Sequence, residues 1–139
     1  MESGAYLLAG KTRIVLGIDP GLAHTGWGIV EQCGPRLSCV AYGCVATPAS
    51  QPLAERLMKI HHQIGAVVER FRPECVGIET VWFGQNVTAA FATGQARGAA
   101  LVACAEGGLA VGEYTPVSYT HLRAPATRHD LVCRLLLEK

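Results

Sequence analysis

The chain has no long apolar run, no marked excess of either charge and no closely spaced cysteine pair. Each absence removes a class of function. No apolar stretch approaches the ~20 residues that a bilayer requires, so no membrane-spanning helix is expected. Residues 1–10 lack the basic start and long apolar centre of a secretory leader. The formal net charge is +1, from 12 basic and 11 acidic side chains, which leaves no global electrostatic footprint for nucleic acid. Six cysteines stand at positions 33, 39, 44, 75, 104 and 133 without a Cys-x-x-Cys pair, so zinc-type spacing is missing. Cys39, Cys44, Cys75 and Cys104 fall inside apolar patterns and are expected as buried, reduced thiols. A soluble, cytoplasmic protein is the resulting expectation. Half of the 139 residues are apolar, enough for one domain with a real core.

What is present begins with Ile14-Val15-Leu16-Gly17-Ile18, an apolar run that stops at Asp19-Pro20-Gly21. A second run, Cys75-Val76-Gly77-Ile78, stops at Glu79. Each reads as a buried strand ending in a carboxylate. A charge at such a tip is costly unless something compensates it. Two tips side by side would hold two acids where a divalent cation offsets their repulsion. Taken alone, Asp19 reads equally well as a turn residue bonded to its own backbone.

The rest of the chain supplies a frame for those tips. Residues 13–18, 25–31 and 37–45 read as a three-stranded meander, turned at Asp19-Pro20-Gly21 and Gly34-Pro35. From Leu53 the period changes. Leu53, Leu57, Ile60, Ile64, Val67, Val68 and Phe71 recur at spacings of three and four, with Glu55, Arg56, Lys59, His62, Glu69 and Arg70 between them. This pattern predicts an amphipathic helix closed by Pro73. His61 and His62 belong on its exterior or edge rather than on a metal. Residues 74–79 form the fourth strand, parallel to the first because a helix returns the chain to the sheet. Asn86 reads as the N-cap of a helix reaching about residue 106, where Gly94, Ala96, Gly98, Ala99 and Ala100 would permit close approach of another backbone. Gly107-Gly108 ends it, and residues 109–114 form a fifth strand. The fold class is α/β, a mixed five-stranded sheet flanked by helices.

That order, with acids ending strands one and four, resembles the ribonuclease-H-like nucleases and integrases. Gly17-Ile18-Asp19-Pro20-Gly21, Thr25-Gly26-Trp27-Gly28, Ile78-Glu79, Asn86 and Gly94-Gln95-Ala96-Arg97-Gly98 narrow the resemblance to the RuvC family of crossover-junction endodeoxyribonucleases. It covers roughly residues 13–116. The resemblance implies a homodimer that binds a four-way (Holliday) junction in recombination and repair, alongside a branch-migration motor complex. It implies paired nicks that depend on magnesium, with Asp19 and Glu79 as catalytic residues and as two of four acidic ligands to two ions. Such ions, held ~3.5–4 Å apart, activate the attacking water and stabilise the leaving oxygen. Trp82 and Phe83 stand where the family carries an aromatic that stacks on opened bases, a contact worth ~1–3 kcal/mol per base. We favour Trp82 for the DNA and Phe83 for packing. Gln85, Asn86, Gln95 and Arg97 are the implied polar and cationic contacts. Two other functions share parts of the pattern. An actin- or sugar-kinase-type ATP-binding domain uses Asp-x-Gly but needs a second glycine-rich phosphate loop, which this sequence lacks. A junction-binding relative without cutting activity is the other.

Beyond residue 116 the resemblance stops. The family continues with a lysine-rich loop and a final helix carrying the last two acids. Here Val117-Ser118-Tyr119-Thr120-His121-Leu122 and Leu131-Val132-Cys133-Arg134-Leu135-Leu136-Leu137-Glu138 instead resemble a translated sequencing-library adaptor. The expected organisation is a flexible extension over 1–12, an incomplete nuclease domain over 13–116 lacking its final helix, and a non-native tail over 117–139. Asp130 and Glu138 do not reproduce the family spacing. Residues 117–139 carry four of the basic and two of the acidic side chains, leaving residues 1–116 at net charge −1. The expected coding sequence runs GTCTCTTATACACATCTC over residues 117–122. Sequencing the gene checks this, and codons departing from that string overturn the read-through origin.

Overall fold

The computed structural model describes residues 12–79 and 86–114. Its elements are β1 (Thr12–Asp19), β2 (His24–Cys33), β3 (Arg36–Ala46), α1 (Leu53–Phe71), β4 (Cys75–Glu79), α2 (Val87–Glu106) and β5 (Ala110–Tyr114). They form one five-stranded sheet in the order β3-β2-β1-β4-β5. β1 pairs antiparallel with β2 and parallel with β4, as the connecting helix required. The elements follow the sequence reading to within about two residues, the usual uncertainty at element ends. Thr12, expected in the N-terminal extension, already belongs to β1. Residues 1–11 and the tail over 115–139 lie outside the described residues.

Alternation along the strands decides which face is dry. Leu16 and Ile18 of β1, Ile29 of β2, Val45 of β3, and Val76 and Ile78 of β4 all turn to one side. Both helices cover that side. α1 contributes Ile60, Ile64, Val67 and Val68, and α2 contributes Ala96, Ala100, Ala103 and Cys104. Fully burying one branched aliphatic is worth about 1.5–3 kcal/mol, so these few side chains dominate the stability. Leu57 and Phe71 pack at the margin, while Leu53 is exposed. Trp27 lies at the sheet margin 6.2 Å from the Phe71 ring. Its indole lies across Gly43, where an added Cβ would sit 2.7 Å from the ring.

Three sequence expectations change. Cys39 and Cys44 are exposed, not buried. They sit on β3, an edge strand whose apolar pattern is covered on one face only. Cys75 is half-buried, and Cys104 alone of the four is fully buried. Desolvation pushes the Cys104 thiol up to about 11, which keeps it an inert packing group. Within the chain, the small residues of α2 divide. Ala96, Ala100 and Ala103 make the close contacts, whereas nothing lies within 4 Å of a Cβ placed on Gly94 or Gly98. His61 meets the expectation of a helix edge, its Nε2 lying 2.7 Å from Glu106 Oε1 on α2.

The helix pair touches where α2 ends. A Cβ at Gly107 would stand 2.5 Å from Val68 Cγ1, a stiff core side chain. Gly107→Ala is therefore expected to cost ~1–3 kcal/mol through overpacking. Gly94→Ala should instead stabilise the isolated protomer by up to ~1 kcal/mol, because it relieves a mid-helix glycine and meets no neighbour within the chain. Urea denaturation of the two variants beside the parent chain checks both signs.

Candidate active site

The sheet order creates one topological switch point. From β1 the chain turns to β2 on one side, and from β4 it leaves through α2 to β5 on the other. Between adjacent parallel strands whose connections diverge in this way, the carboxyl ends leave an open crevice. Asp19 is the last residue of β1 and Glu79 the last of β4. The register pairs Ile18 with Ile78, so the two acids stand one step further on. Neighbouring strands lie about 4.8 Å apart. At an effective dielectric near 20, two like charges at about 5 Å repel by roughly 3 kcal/mol before any counter-charge.

Strand parity sends both acids to the face away from the helices, since Ile18 and Ile78 point into the core. One row back on that face, Gly28, Gly17, Gly77 and Gly112 pair across four strands, with Tyr42 next to Gly28 on β3. The floor leading to the acids therefore carries no side chains over four strands, and Tyr42, exposed, stands at its edge.

Behind Asp19 the chain turns through residues 20–23, and threonines hold this turn. Thr25 Oγ1 donates to the Gly21 carbonyl at 2.7 Å and accepts from the Gly21 N–H at 3.3 Å. Thr47 Oγ1 donates to the Leu22 carbonyl at 2.5 Å, and the Thr47 N–H donates to the Ala23 carbonyl at 2.9 Å. These are the buried polar side chains among the described residues. The sequence reading quoted Thr25 only as part of a motif and missed Thr47 altogether. A hydroxyl closing an otherwise apolar strand at Val45-Ala46-Thr47 was the available signal.

The remaining expected residues divide. Asn86 lies at the same end of the sheet and caps α2, its Oδ1 accepting from the Ala89 N–H at 2.9 Å. That bond engages the side-chain oxygen and leaves the amide group at the exposed helix start. Trp82, Phe83 and Gln85 lie outside the described residues, on the stretch that joins Glu79 to Asn86. Gln95 and Arg97 are half-buried in the middle of α2. At 1.5 Å per residue, Arg97 stands about 16 Å along the axis from Asn86, so the helix does not gather it with the acids.

Two carboxylates are hard oxygen donors of the kind magnesium selects. Among the described residues no group of three or more His, Cys, Asp or Glu converges to hold a metal. Asp19 and Glu79 thus fit a magnesium site in donor chemistry, where together they would supply two of its six oxygens and leave the rest to other donors. No helix among the described residues is long and apolar enough to cross a membrane.

Comparison with known proteins agrees with this geometry. The family model described as "Crossover junction endodeoxyribonuclease RuvC" matches residues 15–121. A protein of that name from Treponema denticola is 45% identical over 104 residues, which is 75% of this chain and 58% of that protein. Its namesake from Desulfitobacterium hafniense is 44% identical over 117 residues, covering 84% of this chain and 71% of that one. The chain thus spans between about three fifths and seven tenths of these relatives' lengths. Among solved structures, T. thermophilus RuvC in complex with Holliday junction substrate superposes with a TM-score of 0.76. It is 34% identical, over 91% of this chain and 81% of that one.

If Asp19 and Glu79 share a cation, divalent ions must stabilise the folded chain. At ten times the dissociation constant, linkage gives about 1.4 kcal/mol. We expect Mg2+ or Mn2+ to raise the thermal midpoint of the parent chain. Asp19→Asn and Glu79→Gln should each remove most of that increase. An equal rise in both variants would place the bound ion elsewhere.

Proposed function

The chain belongs to the RuvC family of crossover junction endodeoxyribonucleases, and on that premise we propose that it is a structure-selective nuclease domain acting on four-way junction DNA. The observation that carries this reading is the pair of carboxylates, Asp19 and Glu79, side by side at the carboxyl ends of the two central parallel strands. Left to themselves, two acids repel a phosphodiester. They therefore make sense at a DNA-cutting centre only as cation ligands. Bound magnesium supplies an activated water and charge compensation at the leaving 3′ oxygen. The chain's own contribution is to hold the two carboxylates in register and to keep the approach clear. The glycine row beside them lets a sugar–phosphate backbone come close without meeting a side chain.

Contacts to the strand follow from the same end of the sheet. Trp82 is assigned to stacking on an opened base, with Gln85 and Asn86 as polar neighbours. The start of α2 favours phosphate through its unpaired N–H groups. Gln95 and Arg97 serve a second line of contact along α2. A net charge of +1 makes local geometry, rather than overall attraction, the source of affinity.

The helix also supports assembly as a homodimer. Val87, Phe91 and Val102 are 76%, 66% and 53% exposed along α2, and open space lies above Gly94 and Gly98. Two copies crossing antiparallel about the 94–95 peptide would bring Phe91 against Gly98 and Val87 against Val102. Such pairing is self-complementary, as a two-fold interface must be. A branch-migration motor is the further partner that the family resemblance implies.

The test is a mobile four-way junction incubated with this chain and Mg2+, with Asp19→Asn in parallel. We expect binding with weak cutting by residues 1–139. Asp19→Asn should lower the rate by about 10²-fold or more. Joining the C-terminal part of a longer relative after residue 116 should raise cutting. Binding without any cutting in either form would favour the non-cutting relative, and ATP turnover without junction binding would overturn the nuclease reading.

A further inference from the structure

The turn behind Asp19 is fastened from a distance. Three successive carbonyls, those of Gly21, Leu22 and Ala23, accept from Thr25 Oγ1, Thr47 Oγ1 and the Thr47 N–H respectively. Thr47 is itself gripped. Arg56 on α1 donates from Nε to Thr47 Oγ1 at 2.9 Å and from Nη2 to the Thr47 carbonyl at 3.2 Å. Lys59, one turn on, donates from Nζ to the Ala46 carbonyl at 2.8 Å. Thr47 is 3% exposed and Thr25 is fully buried.

The direction of these bonds matters. A threonine hydroxyl has one proton and can accept at its oxygen. Arg56 has no acceptor, so its N–H must occupy the oxygen of Thr47. The Thr47 proton is left to the Leu22 carbonyl. Arg56 thereby fixes which way the hydroxyl points, and the hydroxyl fixes the turn.

We propose that Thr47 and Arg56 are positioning residues for the cation site, a brace that runs from α1 through the end of β3 to the turn that sets Asp19. This inference rests on the reading of Asp19 and Glu79 as cation ligands. Neither Thr47 nor Arg56 touches the cation. They hold the end of β1 against the repulsion between the two acids, so that the carboxylates keep a spacing a cation can bridge. The brace also explains why polar side chains are buried at this end of an otherwise apolar interior.

Binding of Mn2+ to the complete chain, followed by electron paramagnetic resonance, tests the brace without relying on cleavage. Thr47→Val keeps the shape and removes the hydroxyl, and we expect Mn2+ affinity to fall by about tenfold, as when outer partners of metal ligands are lost. Arg56→Met should weaken it in the same direction. Thr47→Ser restores the hydroxyl and should restore affinity. Ile64→Val, in the core of α1, is the control for plain destabilisation and should lower the thermal midpoint while leaving Mn2+ affinity unchanged. Unaltered affinity in Thr47→Val, or an equal loss in Ile64→Val, would overturn the brace. Mn2+ binding that survives Asp19→Asn would overturn the cation-site reading itself, whatever the brace variants do.

Discussion

Two like charges one strand-spacing apart are the constraint on which the rest of this structure depends. Between Asp19 and Glu79 themselves, elementary electrostatics works against close approach. They stay together because each ends a strand whose preceding residues cannot move. Leu16, Ile18, Val76 and Ile78 are essentially buried, and the β1–β4 ladder pairs them in fixed register. A slip of either strand by one residue would turn its apolar set out of the core and its acid into it. The hydrophobic core is thus also the device that aligns the carboxylates.

The same constraint accounts for the character of the surrounding surface. On the face that carries the acids, the preceding row is glycine on four strands. Glycine in a strand is unfavourable, from lost entropy and lost packing. Four in one row imply a gain elsewhere, and a clear approach to the acids is the gain that the geometry offers. On the opposite face the glycine of the sheet serves a different end, since Gly43 makes room for the Trp27 indole. Position within the sheet, not residue type, separates the two uses.

Much of this was legible in the amino-acid sequence because the informative signals were local. Short apolar runs closed by an acid, a change of period at Leu53 and an asparagine before an alanine-rich segment each depend on a few neighbouring residues. The elements β1 to β5 and both helices follow from them. The parts that were not legible depend on contacts between distant segments. Thr47 reaches back 25 positions to Leu22, and nothing around Thr47 announces it. Cys39 and Cys44 sit in an apolar pattern, but a pattern cannot tell that β3 is an edge strand covered on one side. Gly94 and Gly98 looked like packing residues from composition alone. Only the helix phase shows that Ala96, Ala100 and Ala103 face inward. Trp82, Phe83 and Gln85 rest on the family resemblance, and Arg97 on a motif whose spacing along a helix separates it from the acids.

How the chain tolerates its two acids follows from where the helices begin. β3 runs parallel to β1, so α1 starts at the end of the sheet where β1 finishes, and α2 starts just beyond the end of β4. Each helix start carries the equivalent of about half a positive charge, effective within the first turn. Arg56 and Lys59 add two cations near the start of α1, both held by hydrogen bonds to the end of β3. Positive potential thus gathers at the acid end of the sheet. That distribution opposes the repulsion between the two acids from the same end of the sheet. It also favours a phosphate approaching the same end. A layout that placed the helix starts at the other end of the sheet would keep the core and lose both effects, which makes the direction of α1 and α2 part of the site.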